Sequence, residues 1–278
     1  GTSLTGTLNA TGASSQTAAQ EAWVAAFQTA NDGVTINYQP TGSGVGRDNF
    51  LQGGQSFIGS DRAFNDEEIA AGGFGSCASD AIVEIPVYIS PVAIIFNLDG
   101  IETLNLSAEV IGNIFNEKIT TWDDAAIADL NPDAELPSTA ITPVHRSDPS
   151  GTSETFTSYL EAVAPAAWPH EAADEWPLSS GESAQGTSGV VAAVTSGVGT
   201  IGYADASQAG SLGTVAVEVA GEFVEYSSEA AAKLVDASPL AEGRSAGDLV
   251  FEVDPAAAPA GAYPIALVSY LIACEKYE

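Results

Sequence analysis

Four times along this chain, glycine stands beside serine or threonine at the point where a helix-like run begins. The segments are T-G-A-S-S-Q (11–16), T-G-S-G-V-G (41–46), S-D-P-S-G-T-S (147–153) and Q-G-T-S-G-V (185–190). A helix start leaves its first N–H groups without intrahelical partners and concentrates about half a positive charge, so it accepts an anion readily. Glycine lets the backbone approach closely, and the hydroxyls supply further donors. Any single segment of this kind is satisfied by plain N-capping. Four of them, three accompanied by an arginine or an aspartate, point to a small oxyanion held mainly by neutral donors.

Between these turns, strand-like and helix-like runs alternate, which predicts an α/β protein. Leu4–Ala10 and Val34–Gln39 read as strands, with a helix over Ser14–Ala30 that carries Trp23, Ala26, Phe27 and Ala30 on one face. A short helix is expected near Arg47–Gln52, followed by the strand-like S-F-I-G-S-D. Ala81–Asn97 holds two strand-like runs. Ser107–Phe115 and Thr121–Asp129 read as helices started by hydroxyl residues. Ile141–His145 reads as a strand, Ser150–Val163 and Ser188–Thr195 as helices, and Thr200–Tyr203 as a strand. Ala164–Gly186 reads as irregular surface, residues 254–264 as a linker, and Ile265–Ala273 as a last apolar strand. No fixed-period repeat is present.

The chain has 278 residues, enough for one large domain or two lobes of ordinary size, and 45% of it is hydrophobic. No apolar run approaches the roughly 20 residues that span a bilayer. The N-terminus lacks the basic stretch and apolar core of a signal peptide, so the protein is either cytoplasmic or relieved of its targeting segment. The formal net charge is −30, from 37 acidic against 7 basic residues. This excludes nucleic acid and anionic lipid surfaces as partners, because both require a basic footprint. Cys77 and Cys274 are the only cysteines and fit no zinc or redox motif. In an exported protein they would form one disulfide; in a cytosolic one they would remain two buried thiols.

Three of the four arginines, Arg47, Arg62 and Arg146, fall within glycine- or serine-rich turns. Arg47 and Arg62 read as surface salt-bridge residues. Arg146 lies between a strand end and the third turn, with Asp148 two residues on to pin its guanidinium. Asp61 looks misplaced in an anion site, yet a carboxylate accepts a hydrogen bond from a protonated phosphate oxygen. Sulfate offers that carboxylate only lone pairs. A buried acceptor left unpaired costs about 1–3 kcal/mol, so Asp61 would reject sulfate.

Other chemistry fits poorly. G-V-G-T-I-G (197–202) has the glycine spacing of a dinucleotide loop, but a helix precedes it and a strand follows, the reverse of what that loop needs. His145, Ser147, Ser150 and Asp148 are too close in sequence, across one tight turn, to form a catalytic triad. His170 reads as solvated. No carboxylate pair stands out as an acid/base couple, and no metal or other cofactor is implied.

With these motifs assembled, the chain resembles the phosphate-binding proteins of bacterial phosphate ABC transporters. The resemblance runs in order through L-T-G-T-L-N-A-T-G-A-S-S-Q, I-N-Y-Q-P-T-G-S-G-V-G, F-I-G-S-D, G-N-I-F-N-E-K-I-T-T-W-D-D, V-H-R-S-D-P-S-G-T-S-E-T-F-T-S-Y-L and G-T-I-G-Y-A-D. It implies a two-lobed Venus-flytrap fold, each lobe a central mixed sheet flanked by helices, with inorganic phosphate buried between the lobes. The first lobe would comprise residues 1–90 plus 259–278, and the second 91–258, with crossings near Pro91 and Pro264. Carried over position by position, phosphate would be held by Ser14, Ser15, Ser43, Asp61, Arg146, Ser150, Gly151 and Thr152, with Asp148 orienting Arg146. The implied protein is a non-enzymatic, extracytoplasmic monomer, on occasion lipid-anchored, that delivers phosphate to a membrane permease. On this layout Cys77 and Cys274 share the first lobe, which favours the disulfide. The rival functions are a phosphate-ester hydrolase using the same cradle and a receptor for another tetrahedral oxyanion such as arsenate.

This sequence departs from the family pattern at three places. Ser15 stands where many members carry an aromatic residue, and Pro149 where many carry glycine. The resemblance also implies several helical turns after the strand matching Y-P-I-A-L-V-S-Y, whereas the sequence stops at Glu278.

Overall fold

The computed structural model describes residues 3–278. Its first strand, β1 (Thr5–Gly12), leads through a single 3-10 turn at Ser14–Gln16 into helix α1 (Thr17–Ala30). Strand β2 (Gly33–Gln39) follows, then α2 (Ser43–Leu51), β3 (Phe57–Ser60) and the short α3 (Asp66–Ala71). The long β4 (Ile82–Phe96) leads to β5 (Thr103–Leu106), α4 (Ala108–Phe115) and α5 (Ala125–Ala128). Next come β6 (Thr142–Arg146), α6 (Gly151–Val163), β7 (Glu182–Ala184), α7 (Gly186–Ser196) and β8 (Thr200–Asp205). The chain finishes through β9 (Gly213–Val219), β10 (Glu222–Val224), α8 (Ser228–Asp236) and β11 (Ala266–Cys274).

The strands run in the order β2-β1-β3-β11-β4-β8-β6-β7, with β9 on β4, and β5 and β10 on β9. β1 is parallel to both β2 and β3, as strand–helix–strand crossovers require. β4 joins the two halves of this arrangement. Its Ile82–Pro91 stretch pairs antiparallel with β11, and Val92–Phe96 pairs with β8. Two hydrophobic clusters flank that change of partner. One gathers Phe50, Ile58, Phe64, Phe74 and Ile272; the other gathers Ile94, Phe96, Ile111, Phe115, Phe156 and Tyr203. Residues 235–253, which the sequence reading groups with 91–258, contribute Val235 and Val250 to the first cluster. Asp248 also bridges to Glu84 on β4. Arg244 reaches Glu84 as well, and local sequence could not reveal that contact, because it spans 160 residues.

Several local expectations change. α2 starts at Ser43 rather than near Arg47, immediately after Gly42, whose φ of 100° opens the turn. The helix expected over Thr121–Asp129 is confined to Ala125–Ala128 and is capped by Asp124, while Thr121 bridges to Ala140 as extended chain. The α1 face with Trp23 and Phe27 is half-covered: Gln20 is the helix's buried residue, and the two aromatics border a shallow apolar groove with Phe57 and Leu271. Ala164–Gly186 is irregular but not simply surface. Trp168 is fully buried, and Trp176 stacks between His145 and Phe156. His170 is half-buried, against Trp168 and within 3.1 Å of Asn116 Oδ1. Cys77 and Cys274 form a disulfide with Cα atoms 5.1 Å apart.

Candidate anion-binding site

All four glycine–hydroxyl segments arrive at one place, where β4 changes partners. Each lies at a strand end or turn that feeds a helix, so four N-termini converge: the turn at Ser14, α2 at Ser43, α6 at Gly151 and α7 at Gly186. Their contacts are direct. Ser14 Oγ lies 3.0 Å from Thr187 Oγ1 and accepts from Thr187 N–H at 3.1 Å. Ser43 Oγ accepts from Asp61 N–H at 3.0 Å. Ser150 caps α6, its Oγ accepting from the N–H groups of Thr152 and Ser153.

Two glycines are fixed by this close approach. A Cβ at Gly42 would stand 2.5 Å from Asp148 Oδ2, and one at Gly151 would stand 2.5 Å from Asp61 Cβ. The turn before α2 therefore presses on the Arg146–Asp148 pair, and the start of α6 presses on Asp61. A side chain at either position would force the two halves apart.

Every candidate phosphate ligand named from the sequence reaches this place and is buried. Ser14, Ser15, Ser43, Asp61, Arg146, Ser150 and Thr152 are each no more than 6% exposed, and Gly151 is buried with them. Arg146 is gripped by Asp148 through Nε at 2.7 Å and Nη2 at 2.5 Å, a two-point grip that fixes the plane of the guanidinium. Tyr203 supports it from behind, its hydroxyl accepting from Arg146 N–H at 3.2 Å and lying 2.6 Å from Ser153 Oγ. Asp148 Oδ1 also accepts from Gly186 N–H, which ties the pair to the start of α7.

The two carboxyls are tuned in opposite directions. Burial works to raise the pKa of Asp148, but the Arg146 guanidinium outweighs it and holds the group below the usual carboxylate range. Asp61 is raised, because its burial outweighs the hydroxyls of Ser15, Ser269 and Thr152 and the charge of Arg146. One cation thus faces two carboxyls, so any anion held here depends on helix starts and neutral donors for much of its binding.

The sequence reading misses several residues here and misjudges the burial of Arg47, while Arg62 forms the salt bridges expected of it. Arg47 is 4% exposed, not a surface residue; it reaches Asp174 at 2.6 Å and Ser60 Oγ at 3.0 Å. Arg62 lies 2.8 Å from Glu154 and 2.7 Å from Glu68. Their partners Asp174 and Glu154 come from the far side of the chain, so adjacency in sequence carries no sign of them. Gln16, Thr187, Tyr203 and Ser269 are not named as site residues from the sequence either. Gln16 and Thr187 do carry a local signal, since they lie within the segments 11–16 and 185–190. Among the described residues, no cluster of three or more His, Cys, Asp or Glu side chains could hold a metal ion, and no helix is long and apolar enough to cross a membrane.

A mixed sheet whose halves share a central strand, with helix starts meeting at the junction, is the architecture of a solute-binding protein. The family model described as the PBP superfamily domain matches residues 1–278. Phosphate-binding protein PstS 3 of Mycobacterium tuberculosis is 34% identical over 277 residues, covering 98% of this chain and 74% of that protein. Its counterpart from Mycobacterium leprae is 36% identical over 278 residues, with the same coverage. Among solved structures, the phosphate-bound periplasmic phosphate-binding protein PfluDING superposes with a TM-score of 0.75 at 22% identity, covering 97% of this chain and 80% of that one. The phosphate-binding protein from Stenotrophomonas maltophilia gives 0.71 at 24% identity, covering 96% and 78%. The chain belongs to the PstS family of phosphate-binding proteins, within the PBP superfamily.

Proposed function

We propose that this protein captures inorganic phosphate outside the cytoplasm and delivers it to the permease of an ABC transporter. The observation that carries this reading is the meeting, in one buried place, of four helix starts with Arg146 and Asp61. The helix starts and the hydroxyls of Ser14, Ser43 and Thr152 would donate to the phosphate oxygens. Arg146, held flat by Asp148, would supply the one full positive charge. Asp61 would accept the phosphate proton, as a carboxylate can and as the proton-free sulfate gives it no chance to do. Ser15 would donate through its N–H, while its hydroxyl serves Asp61. The family membership supports the same ligand.

In this reading the halves on either side of Pro91 act as lobes that close over the ligand. Arg47 with Asp174, and Arg62 with Glu154, are the ion pairs that span them. The protein acts as a carrier rather than a hydrolase. Its two histidines lie outside the cradle: His145 bonds Arg146 O and Ser180 O and stacks on Trp176, and His170 sits against Asn116.

Titration calorimetry should give one phosphate per chain with micromolar or tighter affinity and no heat with sulfate. Equal affinity for the two anions would remove the role given to Asp61. Release of nitrophenol from nitrophenyl phosphate by the pure protein would restore the hydrolase reading. Arsenate, which carries the same proton as phosphate, should compete.

A further inference from the structure

Three buried polar residues outside the proposed phosphate ligands lead, one to the next, toward Asp61. Gln20 Nε2 donates to Gln16 Oε1 at 2.8 Å, and Gln16 Nε2 donates to Ser269 Oγ at 2.6 Å. Ser269 Oγ in turn lies 2.5 Å from Asp61 Oδ1. All are nearly sealed from solvent: Gln16 and Ser269 are 0% exposed and Gln20 is 3%. They come from α1 and its preceding turn and from β11, where the β4–β11 register shifts between Ser269 and Tyr270. Such a bulge re-aims side chains, and here the Ser269 hydroxyl reaches the carboxylate.

The direction of this relay is fixed by chemistry. Gln16 Nε2 also faces the carbonyl oxygen of Tyr270 at 3.2 Å. A carbonyl only accepts, so turning the amide over would set oxygen against oxygen; the nitrogen must lie on this side. Ser269 Oγ therefore accepts a hydrogen bond from Gln16 Nε2 and keeps its own single proton for donation. That proton goes to Asp61, because the alternative acceptor, Ser60 O, is at 3.5 Å. Ser15 Oγ, at 2.6 and 2.5 Å from the two oxygens, gives the carboxylate a second hydroxyl donor.

We propose that Ser269, oriented by Gln16, is a positioning residue that holds Asp61 as a hydrogen-bond acceptor, and so sets the pH range over which the site tells phosphate from sulfate. The proposal rests on the phosphate-binding reading. Burial pushes Asp61 toward its protonated form, and a protonated Asp61 would donate to a ligand oxygen rather than accept from it. In that form the site would welcome sulfate. The donors from Ser269 and Ser15 oppose the change. The other charged or titratable groups facing Asp61 are Arg146 at the end of β6, which also favours the ionised form, Asp205 at the end of β8 and Tyr38 on β2. Arg62, next along the chain, is turned away to Glu68 and Glu154.

The test is calorimetric titration of phosphate and of sulfate from pH 8 to pH 5 with the wild type, Ser269→Ala and Ser269→Thr. The wild type should reject sulfate throughout this range. Ser269→Ala should begin to take sulfate as the pH falls, gaining about tenfold in affinity for each unit by which the Asp61 pKa has moved into the range. Ser269→Thr, which keeps the hydroxyl, should restore the wild-type profile. If Ser269→Ala does not fold, Gln16→Met removes the donor to Ser269 and should shift the profile the same way. A Ser269→Ala protein that binds phosphate more weakly but keeps the wild-type sulfate profile would overturn the proposal, since a merely structural role predicts that result. A wild type that binds no phosphate would instead overturn the function on which the proposal rests.

Discussion

Two buried places in this molecule set an arginine against carboxylates, and they are finished differently. At the end of the first sheet half, Arg244 spends its guanidinium inside the protein. Nη1 lies 3.3 Å from Glu84 and 3.2 Å from Asp248, and Nη2 lies 3.0 Å from Asp66 and 2.8 Å from Phe64 O. Glu84 also accepts from Phe64 N–H. In the cleft, Arg146 has one carboxylate partner, Asp148, on its Nε and Nη2 edge. Four helix starts surround it with N–H groups that their own helices cannot use. The first cluster turns both Nη atoms of Arg244 to partners within the chain, while Arg244 Nε and Asp248 Oδ1 stay buried and unpaired, and it fastens 244–248 to β4. The second turns its helix starts and Arg146 toward one buried place, the arrangement the proposed function calls for.

This contrast can be broken by substitution. The largest effect should come from Arg146→Ala. It removes the one full cation of the cleft and leaves Asp148 buried without its partner, so phosphate affinity should fall about a thousandfold, about 4 kcal/mol, by calorimetry. Arg244→Ala should instead cost about 3–4 kcal/mol of folding stability in urea unfolding, because it leaves the buried Asp248 without its cation. Phosphate affinity of the folded protein should not change; a parallel loss of affinity would show that the two clusters are coupled. Asp61→Asn should weaken phosphate by about 1–3 kcal/mol, the cost of an unsatisfied buried polar group, and admit sulfate.

The last test separates the clusters by pH. Burial first, and then the neighbouring Asp248, raise Glu84 from 4.5 to about 9. The folded protein therefore holds a proton that the unfolded chain releases. That stability is fully present below the ordinary glutamate range and is lost as the pH rises toward about 9. The slope is at most about 1.4 kcal/mol per pH unit. Glu84→Gln should flatten this decline in melting temperature, measured by scanning calorimetry across that range, and leave phosphate binding at pH 7 unaltered.

The donors of the site are legible in the sequence. The glycine–hydroxyl turns, Asp61, Arg146 and Asp148 are local patterns, and their chemistry follows from residue types a few positions apart. The α/β alternation and most element positions are legible for the same reason. Arg47 misleads because its partner Asp174 is 127 residues away. Ser269 is invisible at that level, since a serine in an apolar strand carries no sign that it will face Asp61 from 208 residues off. Trp23 and Phe27 suggest a buried helix face by their spacing, yet spacing specifies only which residues share a face, not what covers it.

The sequence by itself determined that this chain carries four glycine–hydroxyl helix starts, an arginine and an aspartate beside them, and too much negative charge to attract an anion from a distance. At physiological salt such attraction is screened beyond about 8 Å in any case, so recognition has to be local. The tertiary structure decided that the four starts meet in one buried place. It also decided that Asp61 is met by hydroxyls from both Ser15 and Ser269. The physical reason is range. Capping and turn chemistry act within a few residues, whereas the burial and hydrogen bonds that tune a carboxylate come from strands and helices far apart in the chain.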